Sequence, residues 1–119
     1  MHKRSDKVAE TIHETVSMIL MRGLNDPRIG FVTITGVEMT EDLHLARIFF
    51  SVIGDEAARK ATEAGLNSAR GHIRRELGKV LKMRYIPDIL FKYDQSQDYG
   101  AKIDSLLKEV GANNDGNDS

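Results

Sequence analysis

The run Ser68-Ala69-Arg70-Gly71-His72-Ile73-Arg74-Arg75-Glu76-Leu77-Gly78-Lys79-Val80-Leu81-Lys82-Met83-Arg84-Tyr85-Ile86-Pro87-Asp88-Ile89-Leu90-Phe91 contains three structural signals in succession. A glycine breaks a helical pattern at Ala69-Arg70-Gly71. An amphipathic helix follows: at about 100° per residue Ile73, Leu77, Val80 and Leu81 gather on one face and Arg75, Lys79 and Lys82 on the other, with Arg74 at the border. Pro87 cannot continue that helix, and Ile89, Phe91 and Tyr93 then alternate as a strand. Between Arg59 and Arg84 the chain carries eight Lys or Arg residues against Glu63 and Glu76, an excess of six positive charges in a protein whose formal net charge is −1. Positive charge concentrated on one helix of a near-neutral protein points to a polyanion, most commonly nucleic acid.

The compensating negative charge is also segregated. Residues 25 to 58 hold six acids and two bases, and residues 94 to 119 again six and two. Such a dipolar molecule presents its basic face to a polyanion and turns the acidic surfaces away, because steering follows local potential. The 119 residues, 40% of them hydrophobic, suffice for one small domain with one core. The absence of cysteine excludes disulfides, thiol chemistry and cysteine-based zinc sites. No apolar run approaches the roughly 20 residues that span a bilayer, and Met1-His2-Lys3-Arg4-Ser5-Asp6 leads into an amphipathic pattern, not a signal-peptide core; a cytoplasmic protein with no membrane association is expected.

Upstream, Val8, Ile12, Val16, Ile19 and Leu20 recur at helical spacing, with Ser5 or Asp6 as cap and Gly23 as stop. Asn25-Asp26-Pro27-Arg28 has turn chemistry. Ile29 to Met39 and Leu45 to Ile53 read as strands of a hairpin joined at Thr40-Glu41-Asp42-Leu43, with a bulge at Gly36. In the second strand Ala46, Ile48, Phe50 and Val52 share the buried face. Gly54-Asp55 supplies a turn and an N-cap for a small-residue helix from Glu56 to about Ala69. Tyr99, Ile103, Leu106, Leu107 and Val110 suggest a further helix, so that residues 1–110 form one domain and the polar tail 111–119 is expected to be disordered.

The order helix, strand, strand, helix, helix, strand predicts an α+β layer, a three-stranded sheet covered by helices. That order (α-β-β-α-α-β) resembles the type II K-homology fold, whose ordinary members clamp a nucleic-acid backbone with a Gly-x-x-Gly loop. Here Gly65, Gly71 and Gly78 each lack a second glycine three residues away, and an Ala-x-Gly kink, Ala69 to Gly71, stands at the helix junction. With the blocks Asn25-Asp26-Pro27-Arg28-Ile29-Gly30, Thr35-Gly36-Val37-Glu38-Met39-Thr40-Glu41-Asp42-Leu43, Ala46-Arg47-Ile48-Phe49 and the long run quoted first, the sequence resembles the ribosome-binding factor A family up to about Val110. The resemblance implies binding to the free 30S small ribosomal subunit and its 16S rRNA in late maturation, a role most needed in the cold, and no catalytic activity.

On the residues themselves, Arg70, Arg74, Arg75, Lys79, Lys82 and Arg84 are the candidate phosphate contacts, with Lys3, Arg4, Lys7 and Arg28 enlarging the track. The alternative for a charge-rich helix face is simple solvation, and the two readings stand level without the resemblance. Gly71 also reads as an ordinary helix C-cap in the left-handed region. Glu41 and Asp42 sit in a turn as solvated carboxylates. His2, His13, His44 and His72 are scattered with no metal-ligand spacing, and no nucleophile or Walker-type motif appears. No metal, cofactor, small-molecule substrate or catalysis is expected, and the protein should be a monomer. Phe31, Phe50, Phe91, Tyr85, Tyr93 and Tyr99 read mainly as core residues, Phe49 as an outward exception. A second functional class, an accessory RNA-binding or protein-interaction module of an RNA-processing complex, finds no residue cluster in its favour.

Overall fold

Alternation in the hairpin sets the layers. In the computed structural model, which describes residues 3–96, Ala46, Ile48 and Phe50 are fully buried while Arg47, Phe49 and Ser51 turn to the other face. They belong to β2 (Leu45–Val52), the central strand of a three-stranded sheet. On one side β1 (Val32–Met39) pairs with it antiparallel from Val32 opposite Val52 to Met39 opposite Ala46. The register shifts between Ile34 and Gly36, so the predicted bulge is present and Thr35 is the extra residue. On the other side β3 (Asp88–Tyr93) runs parallel, from Leu45 opposite Asp88 to Phe50 opposite Tyr93. Parallel neighbours require a long crossover. Helices α2 (Glu56–Ser68) and α3 (Arg70–Val80) supply it, and α1 (Arg4–Arg22) precedes the hairpin.

All three helices bury a stripe against the same sheet face. Val8, Ile12, Val16 and Ile19 of α1, Leu66 of α2, and Ile73 and Leu77 of α3 meet Ile34, Ile48, Phe50, Ile89 and Phe91 in one core. Each fully buried side chain of this kind contributes about 1.5–3 kcal/mol relative to exposure. Phe50 and Tyr93 add an edge-to-face contact at 5.8 Å between ring centroids. The observed order matches the α-β-β-α-α-β expectation and the type II K-homology arrangement.

Polar groups fix how the helices sit on the sheet. The Asn67 amide brackets Phe91 on β3: its Nδ2 donates to the Phe91 carbonyl at 3.3 Å and its Oδ1 accepts from the Phe91 N–H at 3.1 Å. One side chain thereby satisfies both backbone groups of an edge-strand residue, as a neighbouring strand would. The Thr35 hydroxyl donates to Asp94 at 2.6 Å, joining the bulge of β1 to the end of β3. Asp55 caps α2 as expected, accepting from the Ala58 N–H at 2.9 Å.

Several boundaries and placements differ from the sequence expectations. The cap of α1 is Lys3, because Asp6 sits in the first turn and its carboxylate accepts from the Lys3 N–H at 3.3 Å. Strand β1 begins at Val32 and not Ile29: the Ile29 N–H closes a turn on the Asp26 carbonyl at 3.1 Å, and Ile29 packs against Gly65 of α2. Val80 is 50% exposed, since the chain turns extended at Leu81 and that residue takes the last core place of the stripe. The same turn puts Lys82 beyond the helix. Gly71 lies inside the first turn of α3 without a positive φ, so it is no left-handed cap; the break falls at Ala69, with φ −88° and ψ 2°. Phe31 is 89% exposed and Tyr85 half-exposed, so neither is a core residue. The helix expected around Tyr99 to Val110 and the tail 111–119 lie outside the described residues.

Candidate nucleic-acid interface

Helix α3 builds its cationic surface by leaving its arginines different amounts of freedom. Arg74, at the border of the two stripes, turns back to the protein: its guanidinium donates to the Ile86 carbonyl at 2.7 Å and the Pro87 carbonyl at 3.0 Å, and lies 3.6 Å from the Asp88 carboxylate. It ties α3 to the lead-in of β3. Arg75, one step round the helix, is exposed and its side chain has no hydrogen-bond or ion-pair partner among the described residues. Lys79 is 70% exposed and shares a 3.2 Å contact with Glu76, a surface pair of little energetic weight. Lys82 and Arg84 are exposed in the segment that follows, also unpaired among the described residues. Arg70 folds over the kink, its Nε donating to the Asn67 carbonyl at 3.1 Å.

Two glycines shape the surface around Arg75. Gly71, Arg75 and Gly78 follow one another at helical spacing and line, with Arg74 and Ile86, a groove of about 350 Å³. A Cβ at Gly71 would meet nothing nearer than the Arg75 guanidinium at 3.9 Å. A phosphodiester strand can therefore approach the helix backbone closely there, with Arg75 beside it and no Cβ in the way.

The remaining sequence candidates divide into two places. Lys3, Arg4 and Lys7 stand on the first turns of α1, where Lys3 reaches Glu41 of the hairpin loop at 3.4 Å. The same end of the sheet receives the segment after α3: the Asp88 N–H donates to the His44 carbonyl at 2.8 Å, and the Tyr85 ring lies 5.0 Å from the His44 ring. Arg84 immediately precedes Tyr85 in this segment. Arg28 lies elsewhere. Its guanidinium clamps Asp26, with Nη2 to Oδ2 at 2.6 Å and Nε to Oδ1 at 3.0 Å, while its N–H donates to Oδ1 at 2.9 Å. These bonds, the side-chain ones first, hold the Asp26 carboxyl at about 2, well below its ordinary 3.8.

The turn thus braced is pressed onto α2. The Thr62 hydroxyl, almost fully buried, donates to the Arg28 carbonyl at 3.3 Å. A Cβ on Gly65 would fall 2.8 Å from Ile29 Cγ1. Asn25-Asp26-Pro27-Arg28 is therefore a structural turn docked on α2 through a glycine, as well as a site candidate. Thr62 and Asn67 were not among the sequence candidates. Both sit in a helix that also carries Glu56, Arg59, Lys60 and Glu63, and their partners lie 24 to 34 residues away, so residue type alone does not single them out. Asp42, held low by the Thr40 hydroxyl and then the His44 N–H, organises the hairpin loop. Among the described residues no group of three His, Asp or Glu side chains is placed to hold a metal ion, and no helix is long and apolar enough to cross a membrane.

Comparison with known proteins bears on this arrangement directly. The family model described as ribosome-binding factor A matches residues 4–107. A protein named ribosome-binding factor A from Trichlorobacter lovleyi is 80% identical over 99% of this chain and 96% of its own, and one of the same name from Pelobacter propionicus is 65% identical over 100% and 98%. Among solved structures, a crystal structure of ribosome-binding factor A from Thermus thermophilus superposes with a TM-score of 0.65 at 16% identity, covering 76% of this chain and 97% of its own. Coordinates of the Thermus thermophilus factor fitted into a cryo-EM map of its complex with the 30S subunit give 0.61 at 17% identity, over 73% and 91%. At those identities the structures speak for the fold, and the sequence matches speak for descent: the chain belongs to the ribosome-binding factor A family.

Proposed function

We propose that this protein binds the free 30S small ribosomal subunit and acts in late maturation and processing of its 16S rRNA, with greatest importance in the cold. The observation that carries the reading is the row Arg75, Lys79, Lys82 on and after α3, exposed beside a glycine-lined groove, in a chain of this family. The contacts are electrostatic, so affinity falls steeply with salt. The domain works by binding alone, as a monomer in the cytoplasm, without cofactor or catalysis. Preferential affinity for one RNA arrangement shifts the population toward it, and that bias matters more at low temperature, where misfolded RNA escapes slowly.

Cells lacking the gene and grown in the cold test the biology. They are expected to accumulate unprocessed small-subunit RNA, and the intact gene to restore processing where a triple Arg75→Glu, Lys79→Glu, Lys82→Glu variant does not. Normal processing without the gene would overturn the reading.

A further inference from the structure

Behind the kink lies a second concavity that the cationic track does not use. Gly23, Leu24, Asn25 and Asp26 of the α1–β1 loop face Ser68, Ala69 and His72 across a cleft of about 370 Å³. That volume falls within the range of small-ligand sites, about 300–1,000 Å³. Its position on α3 is distinctive. At about 100° per residue His72 projects roughly 200° away from both Arg70 and Arg74, which line a separate cleft with Asp88 and Leu90 at the start of β3. The two clefts therefore open on opposite sides of the same helical turn.

The walls of this cleft are held at a fixed separation. The loop wall is locked internally by the Asp26–Arg28 clamp and against α2 by Thr62 and the close approach of Ile29 to Gly65. The opposite wall is the end of α2 and the first turn of α3, anchored to β3 through Asn67 and to its lead-in through Arg74. Along the cleft stand an amide, a hydroxyl and an imidazole, from Asn25, Ser68 and His72, none of which has a side-chain partner among the described residues. An amide and a hydroxyl each offer a donor and an acceptor. An exposed imidazole offers a flat face for stacking.

We propose that this cleft binds one unpaired nucleobase of the RNA, stacked on His72 and hydrogen-bonded by Asn25 and Ser68. The proposal rests on the small-subunit reading above and adds base recognition to a track that otherwise contacts phosphate alone. A nucleotide drawn out of a strand or junction at the kink distinguishes one RNA arrangement from another, which a row of phosphate contacts does not.

Two measurements on the full-length chain test it. The isotope-labelled protein is titrated with the four ribonucleoside 5′-monophosphates and with ribose 5-phosphate as the base-free control, following amide resonances. At least one nucleotide is expected to shift Asn25, Asp26, Ser68 and His72 where ribose 5-phosphate does not. Ser68→Trp, an exposed position at the end of α2, fills the cleft; it should abolish those shifts and weaken small-subunit binding about tenfold without changing its salt dependence. Identical shifts from ribose 5-phosphate, no shift from any nucleotide, or unaltered subunit affinity of Ser68→Trp would each overturn the proposal. Failure of the wild-type chain to bind small subunits would instead remove the reading on which it rests, and nucleotide shifts at the cleft would still stand.

Discussion

Asn67 shows how much of this fold depends on a single side chain. Its amide serves both backbone groups of Phe91, and truncation leaves an N–H and a carbonyl beside the core without that partner. Asn67→Ala is expected to lower unfolding free energy by about 1–3 kcal/mol, read from urea denaturation, with little effect on charge-driven binding. Asp26 makes a prediction of a different kind. Its folded pKa of about 2 lies below the ordinary 3.8, so the unfolded chain takes up its proton first as the solution is acidified. The stabilisation is complete above about pH 4 and is lost as pH falls toward 2. Thermal midpoints measured across that window should fall more steeply for the wild type than for Asp26→Asn, and parallel curves would contradict the clamp. At this scale the sequence was only partly legible. A Pro-containing turn at Asn25 to Arg28 could be read from residue types, but its docking on Gly65 depends on a helix some forty residues away. The pairing of Asn67 with Phe91 is likewise long-range, and no local pattern encodes it.

Among the elements, α3 separates two uses of arginine that periodicity alone merges. Arg74 and Arg75 are neighbours in sequence and both counted as phosphate contacts, yet the carbonyls of Ile86 and Pro87 capture the first and leave the second in solvent. Arg74→Met should therefore destabilise the domain by about 1–3 kcal/mol, whereas Arg75→Glu should change stability by no more than about 0.5 kcal/mol while weakening subunit binding. Denaturation and co-sedimentation of the same two variants check both halves. Helix α2 adds a packing test. Gly65→Ala sets a Cβ against Ile29 and should cost about 1–3 kcal/mol by forcing the loop away, seen as a lowered thermal midpoint. The apolar stripe Ile73, Leu77, Leu81 was readable because core burial imposes the period. Val80 was misplaced because the period says nothing of where a helix stops, and the chain turns at Leu81. Likewise Phe31 has the composition of a strand residue but stands just ahead of Val32, where pairing begins.

Over the whole molecule, the order of elements was legible because each carries its own punctuation: Gly23, Pro27, Asp55, the Ala69–Gly71 break and Pro87. Which cations stay available to a polyanion was less so, since sequence reports charge but not the carbonyls and carboxylates that occupy it. Arg28 belongs to Asp26 and Arg74 to the lead-in of β3, leaving Arg75, Lys79, Lys82 and Arg84 as the exposed track, with Lys3, Arg4 and Lys7 at the hairpin end. A chain of net charge −1 can dock on a polyanion only through such segregation. The most direct measurement is co-sedimentation with purified 30S subunits across a salt series. The wild type should show a steep logarithmic loss of affinity, and the Arg75→Glu, Lys79→Glu, Lys82→Glu variant a slope shallower by about two to three counterions with much weaker binding at low salt. Unchanged affinity and slope in that variant would contradict docking through α3.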